Sequence, residues 1–152
     1  MPLSMLKSNQ LVHEELLEKW ILLSQIIKNN RLVGGDVSHI EILILYLATN
    51  NTNNTISVKE LIETSKILKS QMNRTLNNMI IKNWIIKRQV LNDKRCQEIC
   101  VTKEGLNILQ NTYQKILNYA KRIVDIISKD DALEVIRIFS KFIDNQNYFE
   151  NK

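Results

Sequence analysis

The sequence predicts a mainly α-helical chain carrying one small β-hairpin, and two observations carry that expectation. Only three glycines and one proline fall within 152 residues, so long irregular stretches are disfavoured. The apolar spacing is helical over most of the chain but becomes strand-like in "IIKRQVL" and "CQEICV", two runs of β-formers that flank the turn residues Asn92-Asp93. A chain of this length, 44% apolar and 24% charged, is large enough to close a single core without staples.

The first helix is read from the apolar stripe Leu11, Val12, Leu16, Trp20, Leu23 and Ile27, and ends before Gly34-Gly35. Ser38-His39-Ile40-Glu41 has the form of a capping box, in which the Ser38 side chain accepts from the Glu41 N–H, the Glu41 carboxylate reaches back, and Val37 staples onto Ile42. Ser57-Val58-Lys59-Glu60 repeats the pattern after the polar loop "NNTNNT", with Ile56 and Leu61 in the staple positions. Thr102 opens a further helix: Val101 and Leu106 are its staple pair, and Glu104 puts negative charge in the first turn, where the helix dipole favours it. A stripe from Leu106 through Leu109, Tyr113, Ile116, Leu117, Ala120 and Val124 to Ile127 gives that helix about six turns. The pattern restarts at "SKDDALE", with Asp131 and Glu134 as a cap pair and Leu133, Ile136, Phe139, Phe142 and Ile143 as the last apolar face.

Net charge is +5, but it is concentrated. Between Lys66 and Lys103 stand nine cations and two anions, while the remainder holds twelve cations and fourteen anions. A quarter of the chain is strongly basic, which points to a polyanionic partner; a solvated charged face is the bland alternative. No apolar run reaches the roughly 18 residues of a membrane-spanning helix, and "MPLSMLKSNQ" lacks the apolar stretch of a secretory signal. The expectation is a cytoplasmic protein without a membrane partner, its cysteines reduced. Enzyme chemistry is not expected: the glycines form no phosphate-cradling loop, and "HEELLE" at 13–18 lacks the second histidine of a zinc protease helix. His13 and His39 lie far from Cys96 and Cys100 without ligand-type spacing, so neither metal nor cofactor is expected.

Four helices, a hairpin and two further helices describe a winged helix-turn-helix, in which a second helix enters a major groove and the hairpin reaches flanking backbone or minor groove. Three stretches resemble the MarR-type transcriptional regulators: Leu61-Ile62 followed by "SQMNRTLNNMIIKNW", "DKR" at the wing tip for the family's Asp-x-Arg, and "VTKEG" for its Leu-Thr-x-x-Gly. The resemblance covers about 37–105 directly and, through helix order, nearly the whole chain. It implies one MarR-like domain, with about 37–103 as the winged helix-turn-helix and about 1–33 and 104–152 as dimerisation helices. It also implies a homodimer on a pseudo-palindromic duplex and a small-ligand or oxidation signal. Two positions depart from the family pattern. Its glycine before the wing is Asn83, the residue that best tolerates a left-handed backbone after glycine. Its recognition-helix cap is Leu68, which cannot cap, so Ser70 becomes the fallback.

On the recognition helix Met72, Leu76, Met79 and Ile80 are expected to face the core, leaving Lys69, Ser70, Gln71, Asn73, Arg74 and Asn77 outward as DNA contacts. On the wing, Arg95 is expected in a narrow minor groove, held by Asp93, with Lys87, Arg88 and Lys94 on phosphates. The bland alternative for Asp93 is that it merely favours the turn. On one strand, Cys96 and Cys100 have Cα atoms roughly 13 Å apart, too far for an internal disulfide. Their use as an oxidation sensor, with Lys94 and Arg95 lowering the Cys96 pKa, is the lesser reading. An effector cleft lined by Trp20, Tyr46 or Tyr113 is weighed against ordinary core packing of the same side chains. The function expected is a double-stranded DNA-binding repressor released by a small ligand; the alternative is a winged-helix protein-interaction or assembly module.

Overall fold

The computed structural model describes residues 3–29, 37–90 and 93–147, and side chains within 12–26, 37–90 and 96–147. The described elements run α1 (Leu3–Asn29), α2 (His39–Thr49), β1 (Thr55–Ser57), α3 (Val58–Ser65), α4 (Lys69–Ile81), β2 (Ile85–Val90), β3 (Asp93–Val101), α5 (Lys103–Ile127) and α6 (Lys129–Asp144). They fall into two units, Met1–Leu109 and Gln110–Lys152.

Local chemistry sets the helix starts. At α2 the capping box is complete: Glu41 N–H donates to Ser38 Oγ at 3.2 Å, and Ser38 N–H donates to Glu41 Oε2 at 2.7 Å. At α3 the Glu60 N–H donates to Ser57 Oγ at 3.0 Å, and before α5 the Gly105 N–H donates to Thr102 Oγ1 at 3.0 Å. Such caps contribute on the order of 1 kcal/mol each. The expected cap pair at α6 is corrected. Ser128 is the cap, accepting from the Asp131 N–H at 3.2 Å, while Glu134 hydrogen-bonds Arg137. Asp131 already lies in the first turn, where its N–H is the donor that a cap must satisfy.

The hairpin forms as expected, and a third strand joins it. β1 pairs antiparallel with β3, Ile56 opposite Ile99, so the sheet order is β1-β3-β2. The turn assignment shifts: Asp93 is the first residue of β3 and pairs with Val90, across a change of register between Gln89 and Val90. Leu91 and Asn92 lie outside the described residues. Asn83, just before the sheet, adopts φ 59, the left-handed backbone that its amide side chain tolerates.

The core of the first unit closes α2, α3 and α4 over one face of this sheet. Ile44, Leu45, Leu61, Met72, Leu76, Met79 and Ile99 are 0% exposed. Each such side chain contributes about 1.5 to 3 kcal/mol through burial. α1 differs, since every described side chain from 12 to 26 is exposed. In the second unit Tyr113, Phe139 and Phe142 are about half exposed. Trp20, Tyr46 and Tyr113, weighed as core residues, are 57%, 52% and 57% exposed. None of them is core within one chain.

Candidate nucleic-acid interface

α4 is placed by the turn that precedes it. α3 ends at Ser65 and is capped by Lys66, left-handed at φ 57, whose N–H donates to Ile62 O at 3.0 Å. The chain then enters α4 with Leu68 in the cap position, φ −58 and ψ 137, and no side-chain cap. Ser70 is therefore a first-turn residue rather than the cap, because Leu68 O already accepts from the Met72 N–H at 2.9 Å and starts the helical ladder. The remaining first-turn N–H groups are left to solvent or to an anion.

Met72, Leu76 and Met79 form the buried stripe. Ile80, expected with them, is 37% exposed, since it lies about 100° around the helix from Met79, at the margin of the stripe. Lys69, Ser70, Gln71, Arg74 and Asn77 are exposed and Asn73 is half-buried.

These outward residues divide into two groups. Lys69, Asn73 and Asn77 line a groove of about 700 Å³ between α3, α4 and the hairpin, together with Lys59, Ile62, Glu63, Lys87 and Gln97. Ser70, Gln71 and Arg74 stand outside it. Strand alternation puts Lys87 on the face of Ile85 and Gln97 on the face of Ile99, so both point to the α4 side. Arg88 is on the opposite face, where its Nε lies 2.5 Å from Oε1 of Glu98, its partner in the strand register. Lys82 is likewise engaged, 2.9 Å from Glu41 Oε1 and 4.3 Å from the centroid of the Trp84 ring. Two charges of the basic stretch thus serve the fold. Asp93, Lys94 and Arg95 belong to β3, but their side chains lie outside the described residues.

Sequence reasoning missed Lys59 and Gln97. Lys59 was hidden inside a cap motif before the basic stretch began, and Gln97 inside a run of β-formers. Strand alternation was the signal that could have placed Gln97 beside Lys87. Cys96 also lines the groove, whereas Cys100 Sγ lies 3.9 Å from Asn53 O; neither is in a disulfide. Among the described residues no group of three His, Cys, Asp or Glu side chains is placed to hold a metal ion, and no helix is long and apolar enough to cross a membrane.

No protein-family model and no curated protein sequence matches the chain. Solved structures do match. Sco3205, a MarR family transcriptional regulator from Streptomyces coelicolor solved in complex with DNA, superposes with a TM-score of 0.73 at 17% identity, over 92% of this chain and 88% of its own. The chain has the MarR-type winged-helix fold. A second MarR family regulator from that organism, AbsC, gives a TM-score of 0.70 at 16% identity, over 92% of this chain and 95% of its own. The PcaV regulator of Streptomyces coelicolor, in complex with its natural ligand, gives 0.68 at 12% identity, over 84% and 89%. In MarR-type terms α3 and α4 are the helix-turn-helix and β2 and β3 the wing.

Proposed function

We propose that this protein is a sequence-specific double-stranded DNA-binding transcriptional regulator. In this reading it works in the cytoplasm as a homodimer, represses by occupying a pseudo-palindromic operator, and is released by a small ligand. One observation carries it. α4 buries Met72, Leu76 and Met79 while Lys69, Ser70, Gln71 and Arg74 stand exposed at its N-terminal turns. Arg and Gln make bidentate contacts to guanine and adenine edges, and the N-terminal turns of a recognition helix are where such contacts occur. The wing adds Lys87 and, by position on β3, Asp93, Lys94 and Arg95, of which Arg95 is assigned to the minor groove.

The DNA complex of Sco3205 and the ligand complex of PcaV support the two partner classes. The homodimer is supported by apolar side chains left in water by a single chain: Leu16 at 60%, Trp20 at 57% and Ile21 at 58% exposed on α1, and Ile136 at 60% on α6. A monomer rarely leaves so much apolar surface uncovered.

Selecting genomic fragments bound by the purified protein tests the reading and names the operator. With about four phosphates neutralised per copy, binding by a dimer falls with salt at a log–log slope of roughly −7. Half-sites lie about 34 Å apart or at a multiple of it. A flat salt response contradicts the reading. A second reading, a protein-interaction module on the same fold, is favoured by Leu68 and Ile81, 73% and 82% exposed at the two ends of α4. Failure to shift any duplex, with capture of a protein through this face, decides for it.

A further inference from the structure

We infer that Glu98 is an internal competitor for DNA: it holds Arg88 away from phosphates and so lowers the affinity of this protein for any duplex. The inference rests on the DNA-binding reading and adds a brake to it. β2 carries two adjacent cations in opposite surroundings. Lys87 is paired with Ile99 in the strand register, points to the α4 side and is half-buried. Arg88 is paired with Glu98 and shares the outer face of the sheet with Ile86. It stands two residues, about 7 Å of strand, from Val90, where the pairing of the hairpin ends. On the DNA-binding reading that end of the hairpin meets the duplex, so a released guanidinium at this position reaches flanking phosphates.

The anion is held more firmly than the cation. β3 is the central strand of the sheet, and Glu98 has Ser57 opposite it on β1 and Arg88 opposite it on β2. The Glu98 side chain is 23% exposed and that of Arg88 53%, with Arg88 Nε 2.5 Å from Glu98 Oε1, a charge-assisted bond. To serve a phosphate the guanidinium has to leave, and two penalties follow. A largely covered carboxylate loses its cation, and its negative charge then faces the like charge of the duplex. Among the described side chains between Lys66 and Lys103, Glu98 is the only carboxylate, and it is spent on an arginine of the wing. Phosphate contacts carry no sequence information. The brake therefore acts on every duplex alike and leaves the choice of operator untouched.

The full-length protein is titrated with a mixed-sequence duplex and with a duplex recovered by selection, over a series of salt concentrations. Glu98→Gln is expected to tighten both duplexes by the same factor and to steepen the log–log slope by about 0.9 for every copy of Arg88 released. Arg88→Gln alone should bind as wild type with an unchanged slope, because the arginine it removes is already engaged. In the double variant Arg88→Gln/Glu98→Gln the gain should disappear. A thermal melt accompanies each variant, and Glu98→Thr, a good strand former, stands in should the glutamine variant melt early. A flatter slope in Arg88→Gln alone shows the arginine already on a phosphate and overturns the inference. So does wild-type binding by Glu98→Gln, and so does a gain that persists in the double variant, which is the effect of net charge alone. A gain confined to one duplex makes Arg88 a reader of bases and overturns it too. Each of these results leaves the DNA-binding reading standing, whereas failure of wild type and Glu98→Gln alike to bind either duplex removes both readings.

Discussion

Gly105→Ala is expected to destabilise the protein, although the same change in an ordinary helix interior stabilises it by about 1 kcal/mol. A Cβ at this position would lie 2.1 Å from Trp84 O and 2.8 Å from Val101 Cγ1. The Trp84 carbonyl cannot retreat without cost, because it accepts the Thr102 N–H at 3.0 Å and lies 3.0 Å from the Thr102 hydroxyl. Overpacking of about 1 to 3 kcal/mol, with the Thr102 N–H bond to this carbonyl weakened at about 1 kcal/mol, outweighs the helix gain and leaves a net loss of about 1 to 3 kcal/mol. For a chain of this size that lowers the melting temperature by roughly 5 °C. Thermal denaturation followed by circular dichroism measures it, with Asn107→Ala, at an exposed position of the same helix, as the control that should not fall. A Gly105→Ala protein melting at or above the wild type refutes the reasoning and removes close packing as the cause of glycine in "VTKEG".

Arg95→Ala should weaken operator binding by about 1 to 3 kcal/mol while the melting temperature holds; unchanged affinity in a gel shift takes Arg95 out of the interface. Lys82→Met leaves the Glu41 carboxylate, whose side chain is only 6% exposed, without its cation, and should cost about 1 to 3 kcal/mol in urea denaturation. Lys82→Arg should recover most of that loss. Arg137 holds the Glu134 carboxyl below its ordinary range, chiefly by a hydrogen bond. The carboxylate contribution is present above the unfolded pKa and lost as pH falls through the folded one. Any difference in melting between wild type and Arg137→Gln should therefore exist near neutrality and close in acid below about pH 4. A gap that widens in acid contradicts the assignment.

Legibility in the sequence followed the range of the interaction. Ser38, Ser57 and Thr102 announced their helices because a cap needs only a partner three residues on, and the left-handed turn at Asn83 was legible only through the family's glycine at that position, which asparagine can replace. β1 was invisible: three residues are too few for alternation to register, and its partner β3 comes much later in the chain. Asp93 looked like a turn residue because turn preference is local, whereas its pairing with Val90 depends on the register of the whole hairpin. The basic stretch was visible in the sequence, yet its charges could not be sorted. Only folding brings Glu41 to Lys82 and Glu98 to Arg88, and only folding sets Lys59 beside Lys69 and Lys87.

The two ends of α4 have unequal anchorage. Its last residues are moored, with Lys82 tied to the start of α2 and stacked near Trp84, while its first turn opens behind a leucine whose side chain caps no amide. Side-chain anchorage is thus described at the C-terminal end of the helix. On the DNA-binding reading proposed above, a phosphate at the open end would supply acceptors to the first-turn amides that no side chain caps.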